Sequence, residues 1–136
     1  MRPILHLSIP VRDIDEARAF YVDVLGCTAA RKRPDFTDIW FYGMQITLQH
    51  RPEEVVATGE RGCRHFGVTL GREEFDALVA RLNENEANWV SEVATDDAGM
   101  TTEQTKGKVA DPSGNVIELK TYRDVGAALE TPPAAD

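Results

Sequence analysis

The chain is poor in cysteine and has no long apolar run, and each shortage excludes a class of protein. Cys27 and Cys63 show no Cys-x-x-Cys spacing, so a disulfide framework is not expected and reduced thiols are the default. No apolar run approaches the roughly 20 residues of a membrane-spanning helix. The N-terminus also lacks the apolar core of a signal peptide. We therefore expect a cytoplasmic protein.

Positive charge is also scarce. Lys and Arg number 15 against 23 Asp and Glu, which gives a formal net charge of −8. Nucleic acid and anionic membranes both require a basic surface, so neither is an expected partner. Small molecules and other proteins remain open. With 136 residues, 42% of them hydrophobic and 28% charged, the chain has the composition of one compact globular unit, or of two very small ones sharing a core.

One pattern of strand and helix occurs twice along the chain. Residues 4–9 predict a strand, and residues 14–25 predict a helix that Asp13 caps at its N-terminus. The same pair recurs as a strand over 65–70 and a helix over 72–83, so that His6 and His65 occupy equivalent positions. Three strand-like segments follow each helix, at 27–32, 37–42 and 45–50 in the first half and at 89–93, 102–110 and 116–122 in the second.

This repetition predicts an α+β fold made of two βαβββ modules. We place the first module at residues 1–58, the second at 59–123 and a flexible C-terminal tail at 124–136. Residues 51–62 are rich in Glu, Gly and Pro and are typical of a linker, and residues 95–101 predict a polar, mobile loop. The segment 111–115, Asp-Pro-Ser-Gly-Asn, is a strong turn signal before the last strand.

Three residues of metal-binding types lie in apolar strand segments: His6, His65 and Glu118. Because side chains alternate across a strand, each lies on the face opposite its hydrophobic neighbours. That polar face also carries Ser8, Gly67, Thr69, Val116 and Lys120. Two imidazoles and one carboxylate leave one side of a metal free for substrate, water or O2. The three residues can meet only if the fold brings their strands together.

Other residues are weaker candidates for the site. Strand alternation puts Gln49 on the polar face of the fourth strand, whereas His50 falls on the opposite face unless a bulge intervenes. Tyr122, just beyond Glu118, could reach an anionic group of a substrate, although a solvated strand end is the other interpretation. Arg123, Lys106 and Lys108 have the same two interpretations, and Trp40 or Tyr42 fits either a substrate-stacking role or the core.

Two segments resemble the opening and closing motifs of the vicinal oxygen chelate superfamily. They are residues 6–26 (HLSIPVRDIDEARAFYVDVLG) and 111–119 (DPSGNVIEL), and the resemblance covers residues 3–123. The superfamily includes glyoxalase I, bleomycin- and fosfomycin-resistance proteins and extradiol dioxygenases. The resemblance implies paired βαβββ modules whose curved mixed sheets enclose a metal cavity, with the helices outside. It also implies a homodimer and a small-molecule substrate that chelates a divalent metal through vicinal oxygens.

By position, the resemblance assigns the metal ligands to His6, His65 and Glu118. The glutamate of the fourth strand in glyoxalase I, which also serves as its base, falls near Thr47 or Gln49, and neither is a carboxylate. The remaining set of two histidines and one carboxylate resembles that of the extradiol dioxygenases, which use iron(II), and that of the fosfomycin-modifying enzymes, which use manganese. Fe2+ or Mn2+ is therefore the favoured cofactor, with Ni2+ and Zn2+ possible. Gln49 and Tyr122 are the candidate catalytic residues.

The favoured function is a metal-dependent enzyme, either a dioxygenase or a lyase/isomerase, and two other functions remain open. One is a non-catalytic drug-binding protein of the bleomycin-resistance type, and the other is a transferase of the fosfomycin-resistance type. The transferase would need cationic groups around a phosphonate. A net charge of −8 does not indicate such a group, but it does not exclude a local patch of positive charge. Whether the two modules pair within one chain or swap between chains is also open.

Overall fold

The computed structural model describes residues 1–130 and contains two four-stranded sheets. The first sheet consists of β1 (His6–Val11), β2 (Thr28–Lys32), β3 (Phe36–Phe41) and β4 (Met44–His50), in the order β1-β4-β3-β2. The second consists of β5 (Phe66–Thr69), β6 (Asn88–Asp96), β7 (Gln104–Ala110) and β8 (Val116–Tyr122), in the order β5-β8-β7-β6. In each sheet the first and last strands of the module pair in parallel and the other pairs are antiparallel. The α+β class and the twice-repeated βαβββ order are confirmed.

Each module has a helix between its first two strands. α1 (Ile14–Ala19) begins at Asp13, whose side chain accepts a hydrogen bond from the Glu16 backbone N–H at 2.7 Å, and it continues as a π-helical turn over Phe20–Val24. α2 (Arg72–Glu84) occupies the same place in the second module. Each helix buries or half-buries its apolar side chains, and both helices contribute to one core shared by the modules. Its members on or directly after the helices are Ala17, Phe20, Tyr21, Leu25, Phe75, Leu78 and Leu82.

The two faces of each sheet differ sharply in exposure. In β4, Ile46 and Leu48 are fully buried against the shared core, while Gln45, Thr47 and Gln49 alternate with them on the other face. The same alternation occurs in β1 and β5. The face away from the core is open, and the sheets do not close on themselves. The sheets of a single chain therefore do not enclose the cavity that the resemblance implied.

Polar contacts hold the two modules together at the turn before β8. The buried Tyr21 hydroxyl donates a hydrogen bond to Asp111 at 2.8 Å, and burial raises the pKa of Tyr21 well above its ordinary value. Asn115 donates to the Pro10 carbonyl at 3.0 Å. Buried polar groups must be paired, so these bonds fix the mutual position of the modules.

The structure adds detail to three segments of the sequence-based expectations. β6 extends through Asp96, so that the predicted loop at 95–101 is shorter and turns at Asp97, where φ is 53°. The linker contains two 3-10 turns, Pro52–Glu54 and Thr58–Glu60. The predicted tail begins with a short helix, α3 (Val125–Leu129), and residues 131–136 of that tail lie outside the described residues. None of the helices in the described part of the chain is long and apolar enough to span a membrane.

Candidate functional site

His65 and Glu118 meet on the open face of the second sheet. His65 directly precedes β5, and Glu118 lies in the middle of the parallel neighbour β8, where it is paired with Gly67. The Nε2 atom of His65 is 3.8 Å from Oε1 of Glu118. The Nδ1 atom of His65 is 2.6 Å from the Cys63 carbonyl, which can only accept a hydrogen bond. Nδ1 therefore carries the proton when the ring is neutral, and the Nε2 lone pair faces Glu118.

Two lysines also contact Glu118. Lys120 Nζ lies 3.0 Å from Oε1, and Lys108 Nζ lies 3.7 Å from Oε2. Glu118 is only 6% exposed, and a buried carboxylate requires compensation of this kind. The hydrogen bond to Glu118 raises the pKa of Lys120, because it stabilises the charged ammonium. The local charge is therefore positive even though the chain as a whole is acidic.

His65, Glu118 and Lys120 line a cavity of about 360 Å³. The predicted candidate Tyr122 is also part of its wall, at the end of β8. Hydroxyl, imidazole, carboxylate and ammonium groups converge there with apolar side chains from β5. The wall consists of His65, Phe66, Gly67, Val68, Thr69, Glu118, Lys120, Tyr122 and Leu129. A concave site in which polar groups converge is a candidate small-molecule site, and more than half of this wall is polar or charged.

His6 and Gln49 lie on the other sheet. His6 begins β1 and is exposed, and Gln49 donates a short hydrogen bond to the Ser8 hydroxyl across the neighbouring strands. Over residues 1–130, no three His, Cys, Asp or Glu side chains are close enough to hold a metal ion. One chain by itself therefore groups His65 with Glu118 and Tyr122, but it does not bring His6 or Gln49 to them.

Strand register identifies the counterpart of Glu118 in the first module. Ser8, two residues after His6, pairs with Thr47, just as Gly67, two residues after His65, pairs with Glu118. Thr47 rather than Gln49 thus occupies the equivalent position. Its hydroxyl donates a hydrogen bond at 2.6 Å to Asp38, a residue that the sequence analysis missed.

Asp38 is a buried carboxylate on β3, on the same open face as Thr47. Its second oxygen accepts a hydrogen bond from Arg31 Nε at 2.8 Å. Strand alternation could have found it, because it is flanked by the core-facing residues Thr37 and Ile39. Both of its oxygens are engaged, so Asp38 does not offer a free base in place of a glutamate at position 47.

The remaining aromatic and histidine candidates lie elsewhere. His50 is exposed at the end of β4, paired with Val11, as the alternation predicted. Trp40 and Tyr42 do not line the cavity that contains Glu118. They line a separate depression with Leu25 and Cys27, because Tyr42 has left the strand and adopts a φ of 48° in the following turn.

Comparisons with known proteins agree with this architecture. The family model for the Glyoxalase/Bleomycin resistance protein/Dioxygenase superfamily matches residues 3–119. A solved glyoxalase/bleomycin resistance protein/dioxygenase from Alicyclobacillus acidocaldarius is 32% identical, with a TM-score of 0.82 over 90% of this chain and 92% of that one. No curated protein sequence gives a significant match.

Two more distant structures share the fold. The fosfomycin resistance protein FosX from Listeria monocytogenes is 13% identical, with a TM-score of 0.70 over 89% of this chain and 93% of that one. A lactoylglutathione lyase from Agrobacterium tumefaciens is 19% identical, with a TM-score of 0.63 over 88% and 92% of the two chains. At these identities the likeness concerns the fold and not the chemistry.

Proposed function

Since the chain belongs to the glyoxalase/bleomycin resistance protein/dioxygenase superfamily, we propose that it is a metal-dependent enzyme. Its substrate is a small molecule that binds a divalent cation through two neighbouring oxygens. The observation that carries this proposal is the pairing of His65 Nε2 with the Glu118 carboxylate at 3.8 Å, in the wall of a cavity. Fe2+ or Mn2+ is the cation that we favour for a set of imidazole and carboxylate ligands.

The donor chemistry of this pair fits a metal. The hydrogen bond from Nδ1 to the Cys63 carbonyl presents the unprotonated Nε2 to the site, which is the usual support of a metal-binding histidine. A third ligand is needed to complete the set. We propose that it is His6 of a second copy of this chain, so that the active form is a homodimer with each site shared between the chains.

The open faces of both sheets support this arrangement. His6, Ser8 and Gln49 lie on an open face of the first sheet, and the cavity with Glu118 opens from the second. Two copies that face each other would place the first sheet of one chain over the second sheet of the other. Gln49 would then border the substrate on the side opposite Tyr122. Both candidate catalytic residues would thus lie next to the substrate.

The cation would act as a Lewis acid that stabilises negative charge on substrate oxygens. The protein would hold the substrate in the cavity, exclude water and place the Tyr122 hydroxyl beside it. A ring-opening dioxygenase is favoured over a glyoxalase, because Thr47 stands where a carboxylate base is required and Asp38 is fully engaged. Transferase chemistry of the fosfomycin-resistance type is the second candidate, favoured by the lysines beside Glu118.

The test is the metal content of anaerobically purified protein, measured by ICP-MS. We expect near-stoichiometric iron or manganese in the wild type and at least a roughly tenfold loss of metal affinity in His65→Ala and in Glu118→Ala. His50→Ala is the matched control, because this exposed histidine lies at the end of β4, outside the cavity, and its variant should retain the metal. Metal-loaded protein would then be screened with catechols in an oxygen electrode.

Folded wild-type protein that takes up no metal after anaerobic reconstitution would overturn the proposal. A non-catalytic small-molecule binder of the bleomycin-resistance type would then be the better account. Metal that is retained in both the His65→Ala and the Glu118→Ala variants would likewise place the metal site elsewhere.

A further inference from the structure

Three of the four lysines of the chain lie together on the open face of β7 and β8. Lys106 is directly opposite Lys120, and Lys108 is directly opposite Glu118. Like charges that face each other across an antiparallel pair destabilise a sheet. A concentration of ammonium groups in a chain with a net charge of −8 therefore needs an explanation.

The neighbouring carboxylates compensate this charge only in part. Lys106 has a partner of its own in Asp96, at 3.1 Å. Lys108 and Lys120 share Glu118, at 3.7 and 3.0 Å respectively. Lys120 lines the cavity, Lys108 contacts Glu118 from the neighbouring strand β7, and their side chains are 32% and 33% exposed. One carboxylate for two ammonium groups leaves a positive charge at the cavity wall.

A cation on Glu118 would increase this excess. The Oε1 atom that contacts Lys120 is the same oxygen that faces His65 Nε2. A divalent cation held by this pair would repel the ammonium of Lys120 and draw the charge of Glu118 away from Lys108. Both lysines would then require another anion, and the substrate is the molecule that enters this cavity.

Building on the proposed function, we propose that Lys108 and Lys120 bind an oxyanion group of the substrate. The substrate is then a small acid that carries a carboxylate or a phosphonate beside the oxygens that reach the cation. Lysine is a common partner of such groups as a flexible point charge. Tyr122 and Thr69 line the same cavity and add hydroxyl groups as hydrogen-bond donors. The cavity of about 360 Å³ lies within the usual range for small-molecule sites.

The experiment is calorimetric titration of two matched probes into Mn2+-loaded protein. The probes are 2-hydroxyacetate and hydroxymethylphosphonate, which share a neighbouring hydroxyl and differ in the acid group. We expect Lys108→Met and Lys120→Met each to weaken binding of the preferred probe by about tenfold or more, the usual effect of losing a charged hydrogen bond. Tighter binding of one probe by the wild type identifies the acid as a carboxylate or as a phosphonate.

Lys32→Met is the control, since Lys32 forms an ion pair with Asp15 at 2.6 Å outside the cavity and its loss should leave probe binding unchanged. Mn2+ affinity is measured separately for every variant. We expect Lys120→Met to bind Mn2+ at least as tightly as the wild type, because a competing cation is removed from Glu118.

Probe affinities that are unchanged in both lysine variants, with Mn2+ still bound, would overturn the oxyanion proposal and leave the proposed function standing. If the wild type fails to bind Mn2+, the proposed function fails instead. The same titrations without metal then test the lysines alone. Oxyanion binding that depends on Lys108 and Lys120 would support their role, and its absence would overturn it.

Discussion

The orientation of His65 is set by the backbone and not by a neighbouring side chain. Its Nδ1 atom donates to the carbonyl of Cys63, two residues earlier, so the imidazole is held before β5 begins. The thiol of Cys63 is exposed and takes no part in this bond. A substitution such as Cys63→Ser should therefore preserve the orientation of the His65 ring, although it lies beside the site.

The two cysteines should differ strongly in reactivity. Burial raises the pKa of Cys27 to about 12, so almost none of it is thiolate at pH 8, while Cys63 is exposed. We expect iodoacetamide to modify Cys63 rapidly in the native protein. After denaturation in urea it should modify both cysteines, as measured by intact mass. Native Cys63→Ser protein should remain unmodified on the same timescale. Rapid modification of that variant would contradict the burial of Cys27.

Gly67 allows β5 to approach β8 at the level of Glu118. A Cβ atom built at this position would collide with the backbone carbonyl of Glu118, its register partner. The close approach of the two strands therefore depends on the absence of a side chain. The spacing of the two strands that carry the site thus depends on a residue that has no functional side chain.

Gly67→Ala should separate these strands and disturb the site. We expect a loss of about 2 kcal/mol or more in the free energy of unfolding, as for overpacked cores, measured by urea denaturation. Metal binding should weaken with it. Gly59→Ala is the matched control, since a Cβ there meets nothing within 4 Å, and its stability should change by less than about 0.5 kcal/mol. Equal stability of the two variants would contradict the close packing of β5 on β8.

At the scale of the whole molecule, the candidate site residues form two separate groups. The shared core holds the modules together, and their open faces carry His6 with Gln49 on one sheet and His65 with Glu118 on the other. A closed two-fold assembly of two copies joins unlike halves twice, so each dimer would contain two equivalent sites. In the proposed homodimer, oligomeric state and metal content would therefore be linked.

Mixing two defective variants tests this link. We expect His6→Ala and Glu118→Ala each to bind little metal alone. If sites are shared between chains, an equimolar mixture refolded together should recover about a quarter of the wild-type sites, because half of the dimers are mixed and each mixed dimer has one intact site. Metal is measured by ICP-MS, and light scattering should give twice the 15.1 kDa chain mass. No recovery from a mixture shown to contain mixed dimers would place each site within one chain.

The sequence by itself determined the features that depend on local periodicity. The twice-repeated order of strand, helix and three strands follows from hydrophobic spacing, and so do the buried faces of α1 and α2. Strand alternation also placed Glu118 and Lys120 on a common face and His50 on the other. The two segments that resemble family motifs predicted the same fold for nearly the whole chain.

Only the tertiary structure decided which residues meet, because strand order and register depend on contacts between distant parts of the chain. It paired Lys108 with Glu118 and Thr47 with Ser8, and it supplied Asp38 as the partner of Thr47. Tyr42, which the sequence predicted to end a strand, lies in the turn after β3. Above all, it set His6 on a different sheet from His65 and Glu118, because the apolar faces of both modules join in one core and leave the polar faces open.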